Sequence, residues 1–169
     1  MQKVRLLLHS IDTINEWVGR ISCYLVVAVM VILTAEVTLR YGFNNPTSWS
    51  WDVSVQLVAA FALLAGGYNL LHRVHVRVDV LHNRFSDKVK VVADLVTSIF
   101  FFLLCIVLIR DGGYLAWQSL MAREYMVTVL APPIYPLKIL LVVASFLLFL
   151  QGAARFVRDL TFITTGKEI

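Results

Sequence analysis

Four long stretches of apolar residues, separated by shorter polar segments, dominate the hydropathy pattern of the chain. They lie at about residues 17–39, 53–71, 89–109 and 134–157, and each is close to the roughly 20 residues that a helix needs to cross a bilayer. The runs are continuous rather than alternating, and an open sheet edge cannot face lipid. The pattern therefore predicts an all-α membrane protein, a single domain over residues 1–169 with four transmembrane helices.

Two further segments are predicted to lie at the membrane surface. Residues 3–16 place apolar side chains on one helical face, which is typical of an amphipathic helix resting on the inner leaflet. That face consists of Val4, Leu7, Leu8, Ile11 and Ile14. After the first span, Trp49 and Trp51 follow Pro46, and indole rings prefer the headgroup level. An interfacial segment is therefore expected before the second span.

The composition supports the membrane class. Hydrophobic residues make up 59% of the chain and charged residues only 15%, whereas soluble domains are about 45–50% apolar and about 25% charged. Cys23 and Cys105 both fall inside apolar runs, so we interpret them as small apolar side chains rather than as a disulfide or zinc site.

The distribution of Lys and Arg predicts the orientation of the chain. The N-terminal flank, the loop after the second span and the C-terminal tail carry most of the basic residues. The other two loops carry Arg40, Arg110, Arg123 and Lys138. Because basic loops are retained in the cytoplasm, both termini and the loop at 72–90 are expected there.

Glu36 and the histidines suggest two rival functions. Glu36 lies near the outer end of the first span with Arg40 one turn later, which allows an i, i+4 ion pair. The alternative is that Glu36 is the coupling carboxylate of a small proton-coupled exporter that acts as an oligomer. His72 and His75 could hold a metal ion, or the histidines could bind haem in the membrane anchor of a redox complex.

The pattern as a whole favours neither rival. All four histidines belong to cytoplasmic flanks, whereas haem ligation in a helical bundle needs histidine at depth. The centres of the third and fourth spans are almost free of polar residues, whereas transporter substrate sites lie near the midplane. Ala62 and Gly66 form a small-xxx-small pair that favours close helix packing. We therefore predict no catalytic, cofactor or metal site and no nucleic-acid binding.

Three stretches of the chain resemble one family. They are RYGFNNPTSWSWDVS at 40–54, LLAGGYNLLHRVHVRVDVL at 63–81, and the pair WQSLMAREY and PPIYPLKILLVVASFLLFLQGAARFVRDL. Together they resemble the small, DctQ-type membrane subunit of tripartite ATP-independent periplasmic (TRAP) transporters. One position departs from the family pattern: Trp51 stands where many members have the first of two adjacent acids, and only Asp52 remains.

The resemblance implies a function and a set of partners. A small scaffold subunit of this kind supports a large (M-type) permease subunit, which carries the sodium sites, in symport of an organic acid. A periplasmic (P-type) binding protein delivers the substrate. The resemblance thus implies a non-enzymatic, multi-pass protein of a bacterial or archaeal inner membrane, with no cofactor of its own and with phospholipid around it.

The resemblance also assigns expected roles to particular residues. His75, Arg77 and Asp79 are expected to form a structural turn on the cytoplasmic side. Contacts with the large subunit, the binding protein or lipid are expected at Arg40, Trp49, Asp52, Arg123 and Glu124.

Overall fold

The computed structural model describes residues 2–72 and 87–165, and describes side chains within 6–72 and 97–161. The helices are α1 (Gln2–Val37), α2 (Ser50–Leu71), α3 (Asp87–Met121) and α4 (Tyr135–Thr165), with a π-helical turn at Thr38–Gly42 directly after α1. All four helices are long and apolar enough to cross a membrane, so the predicted all-α membrane fold is confirmed. The predicted turn residues His75, Arg77 and Asp79 lie outside the described residues.

The four helices lie side by side in a row. α1 packs on α2, α2 on α4 and α4 on α3, and α1 also touches α4. We call the end of the row that holds Gly42 and Ser50 the outer end, following the predicted orientation, and the opposite end the inner end. α1 and α3 are thus the edges of the row, and α2 and α4 lie between them.

The burial pattern is the reverse of that of a water-soluble bundle. Large apolar side chains point away from the row: Met30 is 64% exposed and Phe100 is 70% exposed. The most buried side chains are small or polar, such as Cys105 and Gln151. Because lipid is as apolar as leucine, helices in a membrane associate through close packing and hydrogen bonds. The row is therefore built for an apolar surrounding.

The N-terminal segment is helical as predicted, but it is the first part of α1 rather than a separate helix. α1 continues without a break from Gln2 to Val37. Leu8 is buried, whereas Leu7 and Ile14 from the same predicted apolar face are exposed. The buried face instead includes Asn15, because polar partners on α4 lie opposite it.

Three glycines lie at contacts between the helices, and they differ from the predicted pair of Ala62 and Gly66. Gly67, not Ala62, lies at the contact with α1, where its backbone packs on the side chain of Asn15. Gly66 faces Leu148 of α4, and Ala62 is exposed. Gly19 of α1 lies against the ring of Tyr68. Gly66 and Gly67 therefore lie at contacts with two different helices, α4 and α1.

The helix that carries the third predicted span continues past the predicted end of that span. The predicted third span ends at residue 109 because Arg110 and Asp111 follow, yet the apolar helix of the structure runs over Thr97–Met121. Gly112 packs opposite Leu141 and Val142, in the apolar run of α4. The charged pair therefore interrupts the hydropathy pattern without ending the helix.

Candidate functional site: polar clusters at the two ends of the row

An outer cluster forms around Glu36 at the end of α1. Its carboxylate accepts a hydrogen bond from Arg40 Nε at 2.9 Å, which confirms the predicted i, i+4 ion pair. It also accepts hydrogen bonds from the backbone N–H of Thr47 at 3.1 Å and from the Thr47 hydroxyl. Glu36 is only 8% exposed. The cluster therefore fixes the 43–49 linker to α1.

The linker and the residues on either side of it carry exposed aromatic side chains, as expected of an interfacial segment. The chain leaves the π-helical turn through Asn44, whose φ of 50° lies in the left-handed region that asparagine tolerates. Tyr41, Phe43 and Trp51 are each more than 70% exposed, and Trp49 is 43% exposed. Aromatic rings of this kind are enriched at membrane–water interfaces.

The segment that joins α3 to α4 folds into a short outer hairpin, residues 122–134. Met126 N–H donates to the carbonyl of Pro132 at 2.9 Å, and Ile134 N–H donates to the carbonyl of Glu124 at 3.0 Å. Gln56 of α2 donates to the Pro133 carbonyl at 3.1 Å. The hairpin is thus attached to α2, while Val127 at its tip is fully exposed.

An ion pair connects the hairpin to α4. Lys138 Nζ lies 2.5 Å from Glu124 Oε2. The hydrogen bond from Lys138 lowers the pKa of Glu124 below its ordinary value. The Glu124 carboxylate is therefore ionised at neutral pH, and the ion pair attaches the hairpin to α4.

The structure places the predicted contact residues at the outer end. Arg40 is half exposed beside Glu36, and Arg123 is exposed just after α3 with a φ of 46°. Asp52 differs, because it is only 4% exposed in the first turn of α2. A carboxylate there stabilises the helix through the positive end of its dipole. The structure therefore favours a role for Asp52 within the chain.

An inner cluster connects α1 to α4. Asn15 Nδ2 donates to Gln151 Oε1 at 2.8 Å, and Gln151 Nε2 donates to Asp12 Oδ1 at 2.9 Å. Arg158 completes the cluster with an ion pair to Asp12 Oδ2 at 2.5 Å. Asn15 and Gln151 are 2% and 1% exposed. Sequence analysis missed this cluster, although its four polar residues recur at helical spacing on α1 and α4.

A second inner contact joins α1 to α2. His72 Nε2 lies 2.6 Å from Glu16 Oε2, and Arg20 Nε donates to the other oxygen of Glu16 at 2.9 Å. The His72 ring also packs on Tyr68, with 4.3 Å between ring centroids. Among the described residues, no group of three or more His, Cys, Asp or Glu side chains could hold a metal ion.

Arg110 and Asp111 on α3 stand apart from both clusters. Both side chains are exposed, although α3 is apolar on either side of them. Within the described ranges, neither makes an ion pair or a side-chain hydrogen bond. A charged side chain at the centre of a membrane helix costs about 2.5–3.5 kcal/mol on insertion scales. This pair is therefore the one clear departure from an apolar middle in the described part of the row.

The fold and these clusters define a class: a small multi-pass helical membrane protein with a cluster of hydrogen-bonded polar side chains at each end. The comparisons narrow the class to one family. The chain matches the DctQ component of tripartite ATP-independent periplasmic transporters over residues 29–162. It is also 31% identical over 116 residues to a Haemophilus influenzae (strain Rd) protein named as a TRAP transporter small permease, covering 68% of this chain and 69% of that protein. The chain belongs to the DctQ family, as the sequence resemblance predicted.

Proposed function

We propose that the chain is the static scaffold subunit of a TRAP secondary transporter. It supports the large permease subunit in sodium-coupled uptake of an organic acid that a periplasmic binding protein delivers. Besides the family, one observation supports this function: three of the described ion pairs lie at the ends of the row and connect different elements to one another. A subunit held together in this way is suited to brace a neighbour that moves.

The geometry at Glu36 disfavours the rival exporter. A coupling carboxylate must be able to release its cation partner when it takes up a proton or substrate. Glu36 instead accepts hydrogen bonds from both Arg40 and Thr47, and these bonds hold the 43–49 linker in place. We therefore assign Glu36 a structural role.

Reconstitution separates the scaffold from the exporter. The chain alone, purified into liposomes, is expected to move no solute, and with its tag it is expected to co-purify with a large permease subunit. Complexes that carry Glu36→Gln should retain sodium-dependent uptake. Proton-coupled transport by the chain alone, abolished by Glu36→Gln, would establish the exporter instead, and a Soret absorption band in the purified chain would establish the haem anchor.

We further propose that the outer end meets the partner proteins through Arg40, Trp49, Arg123 and Glu124. Of these, Arg123 has an exposed side chain at the start of the outer hairpin. Charges at the rim of an interface mainly raise the association rate, and salt screens this effect.

Arg123→Gln should therefore reduce uptake about threefold or more at low concentrations of the binding protein, and less at high salt. Arg20→Gln is the matched control, because it removes an exposed arginine from the inner end. Both variants should still co-purify with the large subunit. Equal uptake by the two variants at every salt concentration would argue against a contact at Arg123.

A further inference from the structure

The exposed pair Arg110 and Asp111 lies deep along α3. Arg110 precedes Met121, the last residue of the helix, by eleven residues, which is about 16 Å along the axis. Gly112 packs against Leu141 and Val142, six and seven residues into α4. The pair therefore lies at the level of the apolar run of α4 and not at the outer end of the row.

The surface around the pair is apolar and aromatic. Residues spaced three, four and seven positions from Arg110 share its side of the helix. We call this surface the α3 face. It comprises Leu103, Ile106, Arg110, Tyr114 and Trp117, with the exposed Asp111 at its edge, and its four uncharged members are between 56% and 64% exposed. Cys105, Gly112 and Ala116 are buried, so the α3 face is turned away from α4.

Lipid suits only part of this surface. Acyl chains match the apolar side chains, but they offer Arg110 and Asp111 no hydrogen-bond partner. A lipid phosphate that reached Arg110 would be repelled by the neighbouring carboxylate of Asp111. A protein helix can present an acceptor to one charge and a donor to the other, and it can pack on Tyr114 and Trp117, residue types that dominate interface energetics. The two exposed charges on an otherwise apolar face therefore favour a protein helix over acyl chains as the neighbour.

Building on the proposed function, we infer that the α3 face is the docking surface for the large permease subunit. The occupant is a transmembrane helix of that subunit that presents a carboxylate to Arg110 and a hydrogen-bond donor to Asp111. The edge position of α3 leaves this side of the row open to such a helix.

Photo-crosslinking in the complex of the two membrane subunits tests the inference. A photoreactive residue is placed at Leu103 or Tyr114, with the matched control at Tyr24, an exposed aromatic residue of α1 at the other edge of the row. The expected result is a cross-link to the large subunit from both α3 positions, and at least fivefold less from position 24. Adducts to lipid alone, or to a second copy of this chain, would overturn the inference.

Two substitutions provide an independent readout. Arg110→Gln is expected to lower the amount of co-purified large subunit about tenfold, because truncating one member of a desolvated charge pair leaves the other unpaired. Arg20→Gln is expected to leave it unchanged. Since Arg110 has no partner among the described residues, the thermal midpoint of the isolated subunit should not fall in Arg110→Gln. Undiminished co-purification of Arg110→Gln would contradict the inference.

The outcomes also distinguish this inference from the proposed function. If the wild-type chain does not co-purify with the large subunit at all, the scaffold function fails and the inference fails with it. If the wild-type complex forms but no cross-link arises from the α3 face, only the inference fails.

Discussion

Gly67→Ala is expected to destabilise the helix row by about 1–3 kcal/mol, the usual cost of overpacking a close contact. A methyl group on Gly67 would overlap the amide of Asn15, which is held by hydrogen bonds to Gln151 and to the carbonyl of Ile11. The amide has little freedom to move, because its shift would also break the buried bond to Gln151. The overlap therefore outweighs the gain of up to about 1 kcal/mol in helix propensity.

The neighbouring Gly66 supplies the control. A methyl group there would lie 3.7 Å from the Leu148 side chain, an ordinary van der Waals contact. Gly66→Ala should thus be neutral or slightly stabilising. Thermal unfolding of both variants in the same detergent, followed by size-exclusion fluorescence, measures the difference. Equal midpoints for the two variants would show that the α1–α2 contact is looser than described.

Gln151→Leu is expected to destabilise the row by about 1–3 kcal/mol, the cost of leaving buried polar groups unsatisfied. Gln151 receives a hydrogen bond from Asn15 and donates one to Asp12, so its loss removes a partner from each. The Asp12–Arg158 ion pair remains, but α1 and α4 lose their most buried connection. Gln118→Leu, at an exposed position of α3, should have no such effect.

A double-mutant cycle tests whether this cost arises from the Asn15–Gln151 pair. Replacing both partners of a buried hydrogen bond by apolar groups is often nearly neutral, whereas replacing one is not. The variant with both Asn15→Leu and Gln151→Leu should therefore be more stable than the sum of the two single changes predicts. Strict additivity in thermal unfolding would mean that the two amides contribute independently.

The sequence was a good guide wherever one local rule decided the outcome. Continuous apolar runs led to four helices because the backbone must satisfy its hydrogen bonds internally in lipid. The Glu36–Arg40 pair followed from spacing alone, since residues four apart share a helix face. The family could also be predicted, because short motifs in the first two loops resemble those of the family.

The inner cluster was harder to predict because the usual amphipathic argument is reversed here. An apolar stripe on residues 3–16 suggested which side would be covered, but Asn15 is buried and Leu7 is exposed. In an apolar surrounding, the polar side is the one that finds partners on another helix. Which helix supplies them depends on the tertiary arrangement, and Gln151 lies 136 positions away from Asn15 in sequence.

The third helix continues past the predicted end of its span. Hydropathy treats Arg110 and Asp111 as a boundary, because an isolated charge in hydrocarbon is costly. The helix continues past them along α4, with Gly112 allowing close approach to Leu141 and Val142. A charged pair within a continuing helix looks the same in the sequence as one that ends a span.

The side-by-side arrangement of the helices has a mechanical consequence. Neighbouring helices resist sliding past one another when they are connected near both ends, and α1 contacts both α2 and α4. Here α2 is pinned to α1 near its inner end through His72 and Glu16, and to the hairpin near its outer end through Gln56 and Pro133. A force applied to α1 or to the hairpin would therefore be transmitted to α2, which would tilt together with them instead of sliding along its axis.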